Sequence, residues 1–337
     1  MEFETPPTVL DVFCGAGGFS TGFEQAGFDV LAGIDADNDA LATFYANHDS
    51  DAYNLNVGEL SPAEVCDAVG ISPGDVDAVI GGPPCQGHSG LGESDPDDPR
   101  NTLMWDYLDL VDYLNPRAVI IENVPDIKAT ADGAFLTNVL ERVDNIGYDI
   151  AYNVLTASDF EVPQMRSRLF VVGLRDGVPR LPDLPPLSPP PVYEVLNRVQ
   201  LRDELPNNDW RAQLGRHGDG LPDDFYPTPL GKDPYANSDH QVRAPLRGPI
   251  RTIIAENLHF HTHQPRYLTV REAAALQSFP DDYRFFGGVG AQREQVGNAV
   301  PPLLAQHIAR TVRESLELAT LRGQTTLSDH GVSPADD

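Results

Sequence analysis

Hydrophobic residues in the first half of the chain fall into short runs separated by amphipathic stretches. Residues 8–13, 28–34, 51–57, 76–80, 118–121, 150–155 and 169–172 are apolar segments of strand length. Residues from about 18, then 37–47, 62–69, 102–114 and 135–143, carry apolar positions at helical spacing. This alternation predicts an α/β fold, a doubly wound, mostly parallel sheet of the Rossmann-like kind. The pattern changes after residue 177. Residues 179–191 are dense in proline and predict an extended linker. Residues 192–264 lack clear periodicity, are rich in Pro, Gly, Asp and Asn, and predict a small irregular second domain. Helical spacing returns at 268–277 and over 299–318, and the polar stretch 323–337 predicts a disordered tail.

Composition narrows the class. With 337 residues and 41% hydrophobic content the chain can bury a sizeable core. No apolar run approaches the roughly 18 residues of a membrane span. The acidic start Met1-Glu2-Phe3-Glu4 does not read as a secretory signal. Cys14, Cys66 and Cys85 are three sparse cysteines without metal-ligand spacing, which predicts a reducing, cytoplasmic setting and no metal site.

The net charge of -28 changes the picture again. A chain so acidic is an unpromising ligand for phosphate-rich nucleic acid. Yet the acid is spread evenly, and lysine occurs only at Lys128 and Lys232, so arginine supplies nearly all the cations. That pattern reads as the solubility trait of a halophile, with local arginines deciding what binds.

Three clusters carry candidate chemistry. Asp11-Val12-Phe13-Cys14-Gly15-Ala16-Gly17-Gly18-Phe19-Ser20 passes from strand to helix. Its glycines suit close approach of a ligand to the backbone, although a plain structural turn reads the same way. The Gly-x-Gly-Gly spacing departs from the dinucleotide fingerprint. Asp35 closes the second strand, either as a ribose-binding acid or as a helix cap. Gly81-Gly82-Pro83-Pro84-Cys85-Gln86-Gly87 places a thiol on a proline-stiffened loop after an apolar strand, where a nucleophile or an inert buried cysteine would both fit.

Taken with Glu122-Asn123-Val124, Gln164-Met165-Arg166-Ser167-Arg168, the segment Arg266 to Glu272 followed by Leu276-Gln277-Ser278-Phe279-Pro280, and Gly297-Asn298-Ala299-Val300, these blocks resemble the DNA (cytosine-5) methyltransferases. The resemblance runs from the first strand to the last long helix and leaves only the middle of the second domain unmatched. It implies methyl transfer from S-adenosyl-L-methionine to cytosine C5 in double-stranded DNA. Cys85 is implied as the nucleophile at C6 and Glu122 as the acid at N3. Gln164, Arg166 and Arg168 are implied as contacts to the target cytosine and its phosphates. Phe13, Gly15, Gly17, Gly18, Asp35, Asn56, Pro83, Asn298, Ala299 and Val300 are implied to line the cofactor site.

The resemblance also implies a domain plan. Residues 1–178 would form the catalytic, cofactor-binding domain and residues 179–264 the target-recognition domain with its proline-rich linker. Residues 265–322 would return to the catalytic domain, leaving 323–337 as the tail. Asn56 stands where many members have Asp, and Ala36 where a larger residue often stacks on adenine. Partners implied are double-stranded DNA and a cognate restriction endonuclease. Three alternatives remain: a transfer-RNA cytosine-5 methyltransferase on the same scaffold, a silent DNA-binding module, and a nicotinamide dehydrogenase. The module would be expected to lose Cys85, Glu122 or Arg168; the glycine spacing and Cys85 disfavour the dehydrogenase. His259, His261 and His263 alternate along the chain but lack the further ligands of a metal site.

Overall fold

The structure, a computed structural model, describes residues 5–84, 102–183, 186–200, 205–208, 247–254, 261 and 267–329. Seven strands form one sheet: β1 (Thr8–Val12), β2 (Asp29–Asp35), β3 (Asp51–Asn54), β4 (Ala78–Gly81), β5 (Ala118–Asn123), β6 (Asp149–Thr156) and β8 (Ser167–Leu174). Their order is β3-β2-β1-β4-β5-β8-β6. The first five are parallel, and β8 runs antiparallel between β5 and β6. The predicted α/β sheet is therefore present, and the strand order reverses between β1 and β4.

Both faces of the sheet are covered, which is why its strands read as continuous apolar runs. Val9, Ala78, Ile80, Ala118 and Ile120 face one layer, built from α1 (Gly18–Gln25), Phe44 of α2 (Asn38–Asn47) and α9 (Pro302–Asp329). Leu10, Val12, Val79, Val119 and Ile121 face the other, built from α3 (Pro62–Val69), α4 (Leu103–Leu114) and α5 (Ala134–Asn145). The alternation along each strand is the two-residue period of pleated backbone. Local chemistry sets the helix starts. Asp37 accepts from the Asp39 and Ala40 amides, and Ser61 forms a capping box with Glu64 behind Pro62.

A third core lies beyond the sheet. It joins α6 (Val192–Gln200), Leu205, strand β9 (Ile250–Arg251), α7 (Val270–Leu276), Phe279, Tyr283, Phe285 and Val296 of α8 (Val289–Asn298). Here the structure corrects the sequence reading in three places. Residues 192–200 form a helix, because Val192, Val195, Leu196 and Val199 stand at i, i+3, i+4, i+7 and all are buried. Helix α8 was not anticipated, since only Gln295, Val296 and Gly297 of its ten residues are buried. Helix α9 continues to Asp329, past the expected start of the tail at residue 323.

In this core α6 and β9 pack with α7. Beside the main sheet, β7 (Gln164–Met165) pairs in parallel with β9. Among the described residues no helix is long and apolar enough to cross a membrane.

Candidate active site

The carboxyl ends of the parallel strands β1, β2, β4 and β5 lie along one edge of the sheet beside the reversal of strand order, the position where open α/β sheets bind ligands. After β1 the chain turns sharply. Phe13, Gly15 and Gly17 all have positive φ, at 63°, 52° and 84°. The Gly17 amide donates to the Cys14 carbonyl, and the Gly15 amide donates to Asp35 Oδ2 at 2.8 Å. Asp35 Oδ1 accepts from the Asp37 amide at 2.9 Å, so the acid at the tip of β2 braces the turn at the tip of β1. Burial raises the Asp35 carboxyl above the ordinary range, against the pull of those amides.

A Cβ on Gly15 would meet nothing within 4 Å. The turn thus presents bare backbone to open space, beside a partly buried acid. Such a cradle fits the amino-acid end and ribose of an S-adenosylmethionine-sized cofactor. Gly18 is different. A Cβ there would lie 2.4 Å from the Val300 carbonyl and 3.2 Å from Ala299 Cβ, so this glycine serves close packing of α1 against the α8–α9 junction. Asn298, Ala299 and Val300 form that junction. Asn56 is exposed and caps its own turn, accepting from the Gly58 amide and donating to Glu59 Oε1.

Glu122 and Arg168 meet at the next two strand tips. Glu122 lies opposite Phe170 in the antiparallel register, and Arg168, two residues along, projects from the same face. Arg168 Nε stands 2.9 Å from Glu122 Oε1, with both side chains largely buried. Burial raises the Glu122 pKa, while the charges of Arg168 and Arg166 pull it back. Gly82 backs this pair, since a Cβ there would come within 3.0 Å of Glu122 Oε2. Asn123 Nδ2 donates to the buried Pro83 carbonyl at 3.0 Å. That bond ties β5 to the turn leading into residue 85. Cys85 itself lies outside the described residues, as do His259 and His263.

Gln164 and Arg166 are bonded within the protein on the third-core side, although Arg166 stays close enough to Glu122 for its charge to act on the carboxyl. Arg166 is fully buried and donates to the carbonyls of Ile253, Gly297 and Asn298. Gln164 is equally buried, donating to Gln277 Oε1 and accepting from the Ile253 amide. The alternation along β7 and into β8 turns these two inward, and both act as struts between the sheet and the third core. His261 is buried near Glu272, at 3.6 Å. Among the described residues no group of three potential metal ligands occurs.

Sequence reasoning left several groups without a role. Asp11 is buried, accepts from Ser20 Oγ at 2.7 Å, and has its pKa raised to about 7 by burial. Tyr107 reaches from α4 to the carbonyls of Val79 and Ile120. Tyr283 and His48 sit against the glycine turn. Asp11 was visible as an acid in an otherwise apolar strand. The others have no local signal, because their partners are distant in sequence.

A doubly wound sheet with a glycine turn and a bracing acid at the tips of β1 and β2, and a buried carboxyl at the tip of β5, fits an S-adenosylmethionine-dependent methyltransferase. The chain belongs to the C-5 cytosine-specific DNA methylase family, whose sequence model matches residues 7–214 and 227–314. It is thus a DNA cytosine-5 methyltransferase that uses S-adenosyl-L-methionine. It is 35% identical to the type II methyltransferase M1.HphI of Haemophilus parahaemolyticus over 329 residues, 90% of this chain and 86% of that protein. It is 34% identical to M.XorII of Xanthomonas oryzae pv. oryzae, over 93% of this chain and 86% of that one.

Among solved structures it is similar to a prophage-encoded E. coli protein assigned as a DNA modification methyltransferase. That match has a TM-score of 0.73 and 26% identity, covering 92% of this chain and 99% of the other. The S. pombe Dnmt2 methyltransferase shares the fold, with a TM-score of 0.64, 17% identity, and coverage of 93% and 99%.

Proposed function

We propose that the chain methylates C5 of a cytosine at one specific sequence in double-stranded DNA, with the target base turned out of the helix into the crevice. Methyltransferases that work on a stacked base must extract it, because neither face of C6 is reachable inside the duplex. The cofactor, when bound, supplies an electrophilic methyl group on its sulfonium. Cytosine C5 is too weak a nucleophile to take it unaided. In this reading the Cys85 thiolate adds to C6, the ring electrons move toward C5 and N3, and Glu122 supplies the proton held at N3. Transfer of the methyl group to C5 would leave the donor as its neutral thioether; the C5 proton then passes to solvent, the thiolate leaves C6, and N3 returns its proton to Glu122, which restores the aromatic ring.

The observation that carries this reading is the buried Glu122–Arg168 pair beside the Pro83 turn. Burial keeps the carboxyl protonated to higher pH than usual, as an N3 donor requires. The guanidinium orients it and offers further N–H groups to a base carbonyl. For the cofactor, Phe13, Gly15 and Gly17 would hold the methionine end and Asp35 the ribose. Pro83, Asn298, Ala299 and Val300 would complete the walls, and Gly18 would act through its packing on the last two. Asn56 would border the adenine. The second lobe, residues 179–264, would read the flanking sequence.

The type II relatives support a role in a restriction-modification pair, with a cognate endonuclease cutting the unmethylated site. The even acidity and scarcity of lysine support a cytoplasmic enzyme adapted to concentrated salt. Bisulfite sequencing of DNA from cells expressing the wild-type chain or Cys85→Ser tests the reading. Methylation at one recurrent sequence with the wild type, and none with the variant, is the expected result. Random or absent methylation, retained methylation in the variant, or methylation confined to transfer RNA would each sink it.

A further inference from the structure

The glycine turn is open on one side and clamped on the other. Gly15 faces open space, but a Cβ on Gly17 would lie 2.3 Å from His48 Nε2 and 2.9 Å from Tyr283 Oη. Between these glycines, the Ala16 carbonyl accepts the Tyr283 hydroxyl proton. His48 Nε2 lies 3.0 Å from the same Oη. Because Tyr283 donates its one proton to Ala16, the hydrogen in the second contact comes from the imidazole. His48 Nδ1 in turn stands 2.9 Å from Glu24 Oε1, on the other side of the ring.

Each member of this chain is held from outside. His48 follows α2, and its ring stacks on Phe44 with centroids 4.4 Å apart. Tyr283 is buried against Phe279, and the Arg271 guanidinium holds its backbone carbonyl. Burial drives the Tyr283 hydroxyl far above its ordinary pKa, so it remains a donor.

We infer that Tyr283 and His48 are positioning residues for the cofactor: they fix the carbonyl of Ala16 so that the backbone at Gly15 is preset for binding. Neither side chain touches the open face of Gly15, so neither acts on the methyl group directly. A glycine-rich turn in left-handed conformation is otherwise free to sample many shapes. Presetting it removes an ordering penalty from binding and leaves the chemical step alone.

The inference rests on the first turn being the cofactor site, so its test carries a control for that reading. Calorimetric titration of the full chain with S-adenosylhomocysteine gives Kd for the wild type, Tyr283→Phe, His48→Leu, His48→Gln and Asp35→Ala. Tyr283→Phe and His48→Leu are each expected to raise Kd and the KM for S-adenosylmethionine about tenfold, the loss of one buried hydrogen bond. At saturating cofactor, kcat and the KM for DNA should stay within about twofold. His48→Gln keeps an N–H for Tyr283 and should recover most of the affinity. The double variant should bind no more weakly than its weaker parent, because both act through one contact.

A Tyr283→Phe Kd within about twofold of wild type, with Asp35→Ala weakened, overturns the tether and leaves the cofactor site standing. An unchanged Kd for Asp35→Ala overturns the site. Should Tyr283→Phe fail to fold, equal Kd values for His48→Leu and His48→Gln overturn the tether.

Discussion

Glu122 and Arg168 are diagonal neighbours across an antiparallel strand pair, and their side chains meet 2.9 Å apart at the mouth of the crevice. Forty-six residues of sequence separate them, yet the register of β5 on β8 places them on one face. The pair joins a carboxyl whose pKa is raised by burial to a guanidinium that keeps it oriented. Glu122→Gln should therefore slow methyl transfer by about 10²–10⁴-fold, the range for a positioned acid or base. Single-turnover kinetics with saturating cofactor and DNA is the check. A loss under tenfold would remove Glu122 from the chemistry.

The same carboxyl sets a pH expectation. Its raised pKa means that ionisation, and loss of the N3 donor, comes at higher pH than for an exposed glutamate. Transfer by the wild type should decline on the alkaline side as Glu122 ionises. In Glu122→Gln the residual rate should lack that decline, a difference read from the pH profile of kcat.

Asp11 makes a pH prediction for stability. Its pKa is raised from 3.8 to about 7 by burial, so the folded state holds this proton more tightly than the unfolded chain. The contribution is full below about pH 4 and is lost as pH rises through about 7, of the order of 4 kcal/mol in all. Urea denaturation of Asp11→Asn should show a shallower decline in stability between about pH 4 and about pH 8 than the wild type. Parallel curves would rule out Asp11 as the titrating group.

Arg166 and Arg168 should fail in opposite ways. Arg166 is walled in by three backbone carbonyls, so Arg166→Ala leaves buried acceptors and a cavity, costing about 3–5 kcal/mol of stability. Arg168→Ala should lose transfer with a much smaller change in urea midpoint. Comparable stability losses in the two variants would contradict this division.

The two glycines of the first turn should also separate. An alanine at Gly18 collides with the Val300 carbonyl and should cost about 1–3 kcal/mol as overpacking. At Gly15 an added Cβ meets nothing, so stability should drop only by the roughly 1–2 kcal/mol of the left-handed backbone. Cofactor affinity should fall at Gly15→Ala. Thermal melts with and without S-adenosylhomocysteine read both effects.

Much of the sheet was legible because its period is local. Apolar runs at 118–121 and 169–172 announce buried strands, and Pro62 behind Ser61 with Glu64 announces a helix start. The blocks around Asp11, Cys85, Glu122 and Arg168 were equally readable, since each is a contiguous motif at the end of such a run. Helix α8 was hidden because a helix with three buried residues has almost no periodic signal. Helix α6 had the right spacing, but it stood in a stretch whose prolines and asparagines argued for loop.

The sequence by itself determined the sheet, the motif order and the family to which the chain belongs. Tertiary structure decided which motif residues face the crevice. Arg166 and Arg168 are two apart in one block, yet one is a buried strut and the other pairs with Glu122. Nothing local distinguishes them, because their fates depend on Gly297 and Glu122, both remote from them in the sequence. The support beneath Ala16 has the same origin: His48 and Tyr283, far apart in the chain, meet only because α2 and the third core close on one turn. Local pattern records which groups must be buried, whereas long-range packing determines their partners.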